Sequence, residues 1–177
     1  MSTTPSPESE EFPGRLLHQA ALWDNVELLE DLLQEETHLI DCLDSWGRAP
    51  IHAAAITADS RCLPMLINAG ANVDATCGPR GDSKTALHLS AEHGHVSNVR
   101  VLLDAGASFV AKDKNGLTAL DLAERSGHDT CVGLLKEAAD TREQIRSQKH
   151  KNLREAVSSS DDTLVQLLLD SIGPERE

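Results

Sequence analysis

His88, His93 and His95 stand in the spacing H-x4-H-x-H, and imidazoles so close could hold a metal ion or move a proton. No cysteine or carboxylate cluster completes a ligand set around them. His88 also has counterparts, because His18 and His52 precede it at steps of 34 and 36 residues. A histidine that returns with a period serves an architecture rather than a reaction. The chain has no G-x-S-x-G elbow, no P-loop lysine motif and no cysteine–histidine pair at a known catalytic spacing. No catalysis is expected, and neither a metal nor a cofactor.

A second candidate is Arg80-Gly81-Asp82, a tripeptide that signals integrin binding when it is displayed outside a cell. The stretch CGPRGDSK around it predicts an exposed loop able to present it. The compartment argues otherwise. Cys42, Cys62, Cys77 and Cys131 are scattered without a C-x-x-C pair, and the N-terminus is polar and acidic without a secretory pattern. Reduced thiols in the cytoplasm or the nucleus fit that usage, so integrin is not an expected partner.

Charge narrows the partners further. Lys and Arg number 16 against 29 Asp and Glu, a formal net charge of −13. Such a surface repels phosphate backbones and anionic lipid, which argues against nucleic acid. No apolar run approaches the ~18 residues of a membrane span, so direct membrane insertion is not expected. A protein partner offering a basic or apolar segment is the favoured class.

The elements that must position these residues repeat along the chain. LLHQAA (16–21), PIHAAA (50–55), ALHLSA (86–91) and ALDLAE (119–124) align at steps of 34, 36 and 33 residues, and NLREAV (152–157) is a degenerate fifth copy. A second apolar run follows each: VELLEDLL, CLPMLI, VSNVRVLL, CVGLL and TLVQLLL. Turn signals such as NAGANVDA (68–75) lie between the pairs. Aromatics make up only 2% of the residues, so Ala and Leu must fill the interior of closely packed helices. The predicted organisation is a disordered acidic tail over 1–13, four units over 14–139 and an irregular or helical linker over 140–151. A divergent fifth unit or C-terminal cap follows over 152–173, then a tail over 174–177.

This pattern resembles the ankyrin repeat family, with TALHLSAEHGHVSNVRVLLDAGA (85–107) the best copy of its T-P-L-H-x-A signature. The resemblance implies an all-α fold, a solenoid of stacked helix–turn–helix units with protruding β-turn loops. It also implies that His18, His52 and His88 brace turns through hydrogen bonds. Departures are Ala86 and Ala119 for the signature proline, Asp121 and Arg154 for its histidine, and a first unit lacking Thr and Pro.

Recognition in such proteins uses the turn tips and the inner face of each first helix. Carried onto this sequence, the tips supply Trp46, Arg48, Lys84, Lys114, Asn115 and Leu117. The helices supply Trp23, Ile56, Thr57, Glu92, His93 and Arg125. Both tryptophans fall on recognition positions, with Ile56 and Leu117 extending an apolar strip and Arg48, Lys84 and Lys114 as its charged rim. The implied function is a non-catalytic protein-interaction module: an adaptor, a scaffold or a regulatory subunit. Two alternatives accompany it. SWGRAPI (45–51), the lengthened third turn and GLTALDLAERSGH (116–128) are similar to the four-repeat inhibitors of cyclin-dependent kinases. Those proteins have a shortened first helix in the second unit, whereas IHAAAITADS (51–60) predicts a full-length one. The leucine-rich last run fits instead an N-terminal recognition domain of a larger channel or signalling protein.

Overall fold

The computed structural model describes residues 14–35 and 37–158. They form the helices α1 (Arg15–Leu22), α2 (Val26–Glu35), α3 (Pro50–Ala55), α4 (Cys62–Asn68), α5 (Ala86–His93), α6 (Val96–Asp104), α7 (Ala119–Ser126) and α8 (Asp129–Ser158). Two short 3-10 turns and an isolated β-bridge between Thr76 and Thr85 complete the regular structure of these residues. The expected all-α solenoid is present. Helices α1, α3, α5 and α7 pack on one another as one layer, and α2, α4 and α6 as a second. Ala20, Ala21, Ala54, Ala55 and Ala91 are fully buried where the first layer closes up, and Leu29, Leu66 and Leu102 fill the space beside it. Each buried leucine contributes roughly 1.5–3 kcal/mol, and no single unit could enclose them alone.

Local chemistry sets the helix ends. The Thr85 and Thr118 hydroxyls accept the amides of His88 and Asp121, capping α5 and α7. Gly94 ends α5 at φ 74°, and a Cβ there would come within 2.6 Å of the His128 ring. Glycine thus supplies both the left-handed turn and the room for the next unit.

The second unit corrects the sequence reading. Residues 51–60 do not form a full-length first helix: α3 has six residues where α1, α5 and α7 have eight. Ile56 and Thr57 are β-branched, and the Thr57 hydroxyl lies 3.4 Å from the Ala53 carbonyl and 3.0 Å from that of Leu22. That competition, with Asp59 at φ 50°, stops the helix early.

The described residues divide into two units at Leu135 and Lys136. In the second, residues 140–151 are helical within α8, and residues 152–158 continue the same helix. Among the described residues no helix is long and apolar enough to cross a membrane. The rest of the anticipated fifth copy, the tail 1–13 with Phe12, and residues 174–177 lie outside the described residues.

Two hydrogen-bond ladders tie the repeats. His52 Nδ1 accepts the Ala49 amide at 3.0 Å, which leaves the proton on Nε2 to be donated to the Ala75 carbonyl at 2.8 Å. His88 Nδ1 accepts the Thr85 amide and hydroxyl, and its Nε2 donates to Leu117 O at 3.1 Å. His18 Nε2 lies 2.7 Å from Arg48 O. Each imidazole therefore holds the turn of the following unit. At the other end of the layer the bonds run backwards: Thr57 Oγ1 to Leu22 O, His95 Nε2 to Ile56 O and His128 Nε2 to Glu92 O. Asp121 breaks the first ladder. Its carboxylate accepts the Thr118 amide and hydroxyl at 2.8 and 2.7 Å and has no proton to offer a further turn.

Replacing His88 by Ala strands the Leu117 carbonyl and should cost roughly 1–3 kcal/mol, read from the urea midpoint. Burial holds both His52 and His88 below the ordinary imidazole range. Their stabilisation should be complete above about pH 6.5 and decline as pH falls from there, because the unfolded chain then binds protons the folded one resists. The His88→Ala midpoint should accordingly fall less steeply over that range than the wild-type midpoint.

Candidate recognition surface

The turn tips are built around aspartates that the sequence reading passed over. Asp44 Oδ1 accepts the amides of Trp46 and Arg48 at 2.9 and 2.8 Å, and its second oxygen takes the Arg48 guanidinium. Asp113 Oδ1 likewise accepts Asn115 N and Leu117 N at 2.8 and 2.9 Å. Burial alone would raise both carboxyls. The Arg48 amide and side chain and the Trp46 amide outweigh it at Asp44, and the Leu117 and Asn115 amides at Asp113, so both sit below the usual range. The available signal was D-x-x-G, Asp44 with Gly47 and Asp113 with Gly116. Behind the tips, Asp24 Oδ1 accepts the amides of Arg61 and Cys62 at the start of α4. Asn98 bridges Ser60 N to Thr57 O from the next unit.

In the lengthened loop Arg80 is exposed, as the sequence led us to expect, while Gly81 and Asp82 are half-buried. Gly78 N donates to Gly47 O at 2.7 Å, and a Cβ on Gly81 would collide with Cys77. The Asp82 carboxylate pairs with Lys114, and its carbonyl accepts the Lys114 amide at 2.9 Å. The triplet is clamped between the turns on either side, and the carboxylate an integrin would need is engaged.

The anticipated basic rim is also neutralised from within. Arg48 pairs with Asp44 at 2.8 Å, Lys84 with Glu92 at 2.7 Å and Lys114 with Asp82. The Lys84 side chain is only 14% exposed, so its charge is held inside a cleft rather than offered to solvent.

That cleft, about 290 Å³ in volume, lies between α5, α7 and the turn at 113–117. It gathers Lys84, Glu92, Asn115, Leu117 and Arg125, drawn from two units, together with Asp113, Leu122 and Ser126. His93 is exposed, its ring stacked on that of His95 at 5.8 Å. Ile56 and Thr57 are half-buried at the end of α3, where the Ile56 carbonyl and the Thr57 hydroxyl are engaged by the second ladder. The two tryptophans stand apart from the cleft. Trp23 closes α1 and is 68% exposed; Trp46 sits on the second turn and is 55% exposed. Each occupies a different end of the first-helix layer, about 12 Å apart for an eight-residue helix. Burial pushes the Cys62 thiol up to about 12 and that of Cys77 up to about 11, so neither offers a thiolate near neutral pH.

Comparison with known proteins agrees with the repeat register. The family model "Ankyrin repeats (3 copies)" matches residues 17–113 and 58–145, and the chain belongs to the ankyrin repeat family. It is similar to inversin of Mus musculus, 32% identical over 119 residues, covering 67% of this chain and 11% of that protein. It is also similar to Ankyrin repeat and SOCS box protein 3 of Homo sapiens, 40% identical over 88 residues, covering 50% and 17%. E3 ubiquitin-protein ligase KEG of Arabidopsis thaliana is 30% identical over 126 residues, covering 71% and 8%. The chain thus spans less than a fifth of the length of each of these relatives. Membership of this family indicates a protein–protein interaction module on a fold that is generally non-catalytic.

Substituting Asp113 by Ala leaves two turn amides unpaired. It should cost roughly 1–3 kcal/mol in denaturant unfolding and speed amide exchange at Asn115 and Leu117. Because the Asp113 carboxyl is lowered in the fold, its contribution is present above the ordinary carboxylate range, near pH 4, and is lost as pH falls through the folded value.

Proposed function

We propose that this chain is a recognition module without catalysis of its own, an adaptor, scaffold or regulatory subunit. It holds a protein partner through the exposed ends of its first-helix layer and its turn tips. The observation that carries this reading is the exposure of both tryptophans, at 68% and 55%, on a chain whose core leucines, among them Leu17, Leu29, Leu66 and Leu102, are fully buried. Large aromatic side chains left in water are the residues most enriched among binding hot spots, where truncation costs about 2 kcal/mol or more. The polar cleft beside α7 adds a second anchoring point. Four cysteines outside any disulfide, three of them buried, support a reducing compartment, the cytoplasm or the nucleus.

The short α3 favours a second reading, direct inhibition of a protein kinase, since a shortened first helix in the second unit is what that inhibitor group has. A panel of cyclin-dependent kinases assayed with the purified chain decides it, and full activity at micromolar chain rules it out.

For the main reading, quantitative capture from lysate should compare the wild type with a folded Trp23→Ala/Trp46→Ala variant. The wild type should retain partners that the variant loses by tenfold or more. An identical set of proteins on both would end the assignment of the tryptophans to the surface.

A further inference from the structure

Resting on that reading, we infer that the cleft between the third and fourth units takes a single carboxylate, the Asp or Glu side chain of an extended partner segment. The argument begins with what is already spent. Lys84 and Glu92 neutralise each other at 2.7 Å. The Asp113 carboxylate is consumed by the Asn115 and Leu117 amides of its own turn, with the Asn115 side-chain amide 3.5 Å from its other oxygen. Of the four charged groups lining the cleft, Arg125 alone has no ion-pair or hydrogen-bond partner among the described residues.

The cleft keeps donors in reserve, and its one wholly uncommitted charged group is a donor. Arg125 offers a planar fork suited to gripping a carboxylate with two parallel bonds. Lys84 retains two ammonium protons beyond the one given to Glu92, and Ser126 adds a hydroxyl. Leu117 and the buried Leu122 back an otherwise polar lining, and the charge-assisted bond to Arg125 is the stronger kind.

The rest of the chain limits what can bring that carboxylate in. A net charge of −13 repels a polyacidic segment over a distance of about 8–10 Å at ordinary ionic strength. One acidic residue flanked by neutral or apolar residues avoids that repulsion and still reaches the fork. The partner chemistry is therefore a lone carboxylate in an otherwise uncharged stretch, which differs from the basic or apolar segment that composition alone favoured.

The test is selection of a displayed random twelve-residue peptide library on the intact chain, followed by affinity measurement of the enriched peptides. They should share one Asp or Glu among uncharged neighbours. Arg125→Glu should weaken them at least tenfold, Arg125→Lys less, and a Glu→Lys change in the peptide should recover binding to Arg125→Glu. Arg100→Glu, at an exposed position on α6, serves as the charge control and should leave affinity unchanged. Unaltered thermal unfolding of each variant establishes that the fold is intact. The inference is overturned if the selected peptides lack a common acid, if Arg125→Glu binds them as the wild type does, or if no peptide is enriched. Peptides that survive Arg125→Glu but are lost with Trp23→Ala/Trp46→Ala would remove this inference and leave the recognition role standing. Peptides indifferent to all these changes would remove both.

Discussion

The donation of an imidazole Nε2–H to a carbonyl in the following turn fixes how one unit of this chain meets the next. The bond has a direction, because Nδ1 is occupied by the amide at the start of its own helix and only Nε2 can reach forward. Helix start, helix-to-turn spacing and the position of the next turn are thereby set by one side chain. The backward ladder of Thr57, His95 and His128 locks the other end of the layer. With both ends held, the small alanines between them can sit at close approach, and packing rather than hydrogen bonding then supplies most of the stability.

The same economy governs charge. A chain with 29 acidic residues uses several of them as fixed structural acceptors, at the turns, at the start of α4 and in the capping box of α7. Most of the lysines and arginines at the turns are matched by a neighbouring carboxylate. In the cleft where two repeats meet, Arg125 is the one charged lining group without such a partner among the described residues.

Much of this was legible because it is local. T-A-L-H carries its own cap, its own forward donor and its own helix start within a few residues, so the period and the layer order could be read directly. Asp121 in place of histidine also announced the break in the ladder, since a carboxylate cannot donate. The length of α3 was hidden because IHAAAI has the composition of a helix, and what shortens it is a threonine bond to another unit. The loop at 78–84 showed its extra length but not that Asp82 would meet Lys114, a pairing set by tertiary geometry. Lys84, Glu92, Asn115, Leu117 and Arg125 of the cleft were named individually, yet which of them were already engaged depended on contacts between repeats. The backward ladder did leave a trace, the Gly-His pairs at 94–95 and 127–128, each placing a histidine one step beyond a left-handed glycine.

The inserted loop has one more consequence. Through Gly78 to Gly47 on one side and Asp82 to Lys114 on the other, it joins the second, third and fourth turns into a continuous row of backbone bonds. In a linear array, cooperativity is decided by the ratio of coupling between neighbours to the stability of each unit alone. Three extra residues here strengthen the coupling and add nothing to the core of any unit. Units two to four should therefore melt as one block, a property written in a loop that by composition looks like the most dispensable part of the repeat.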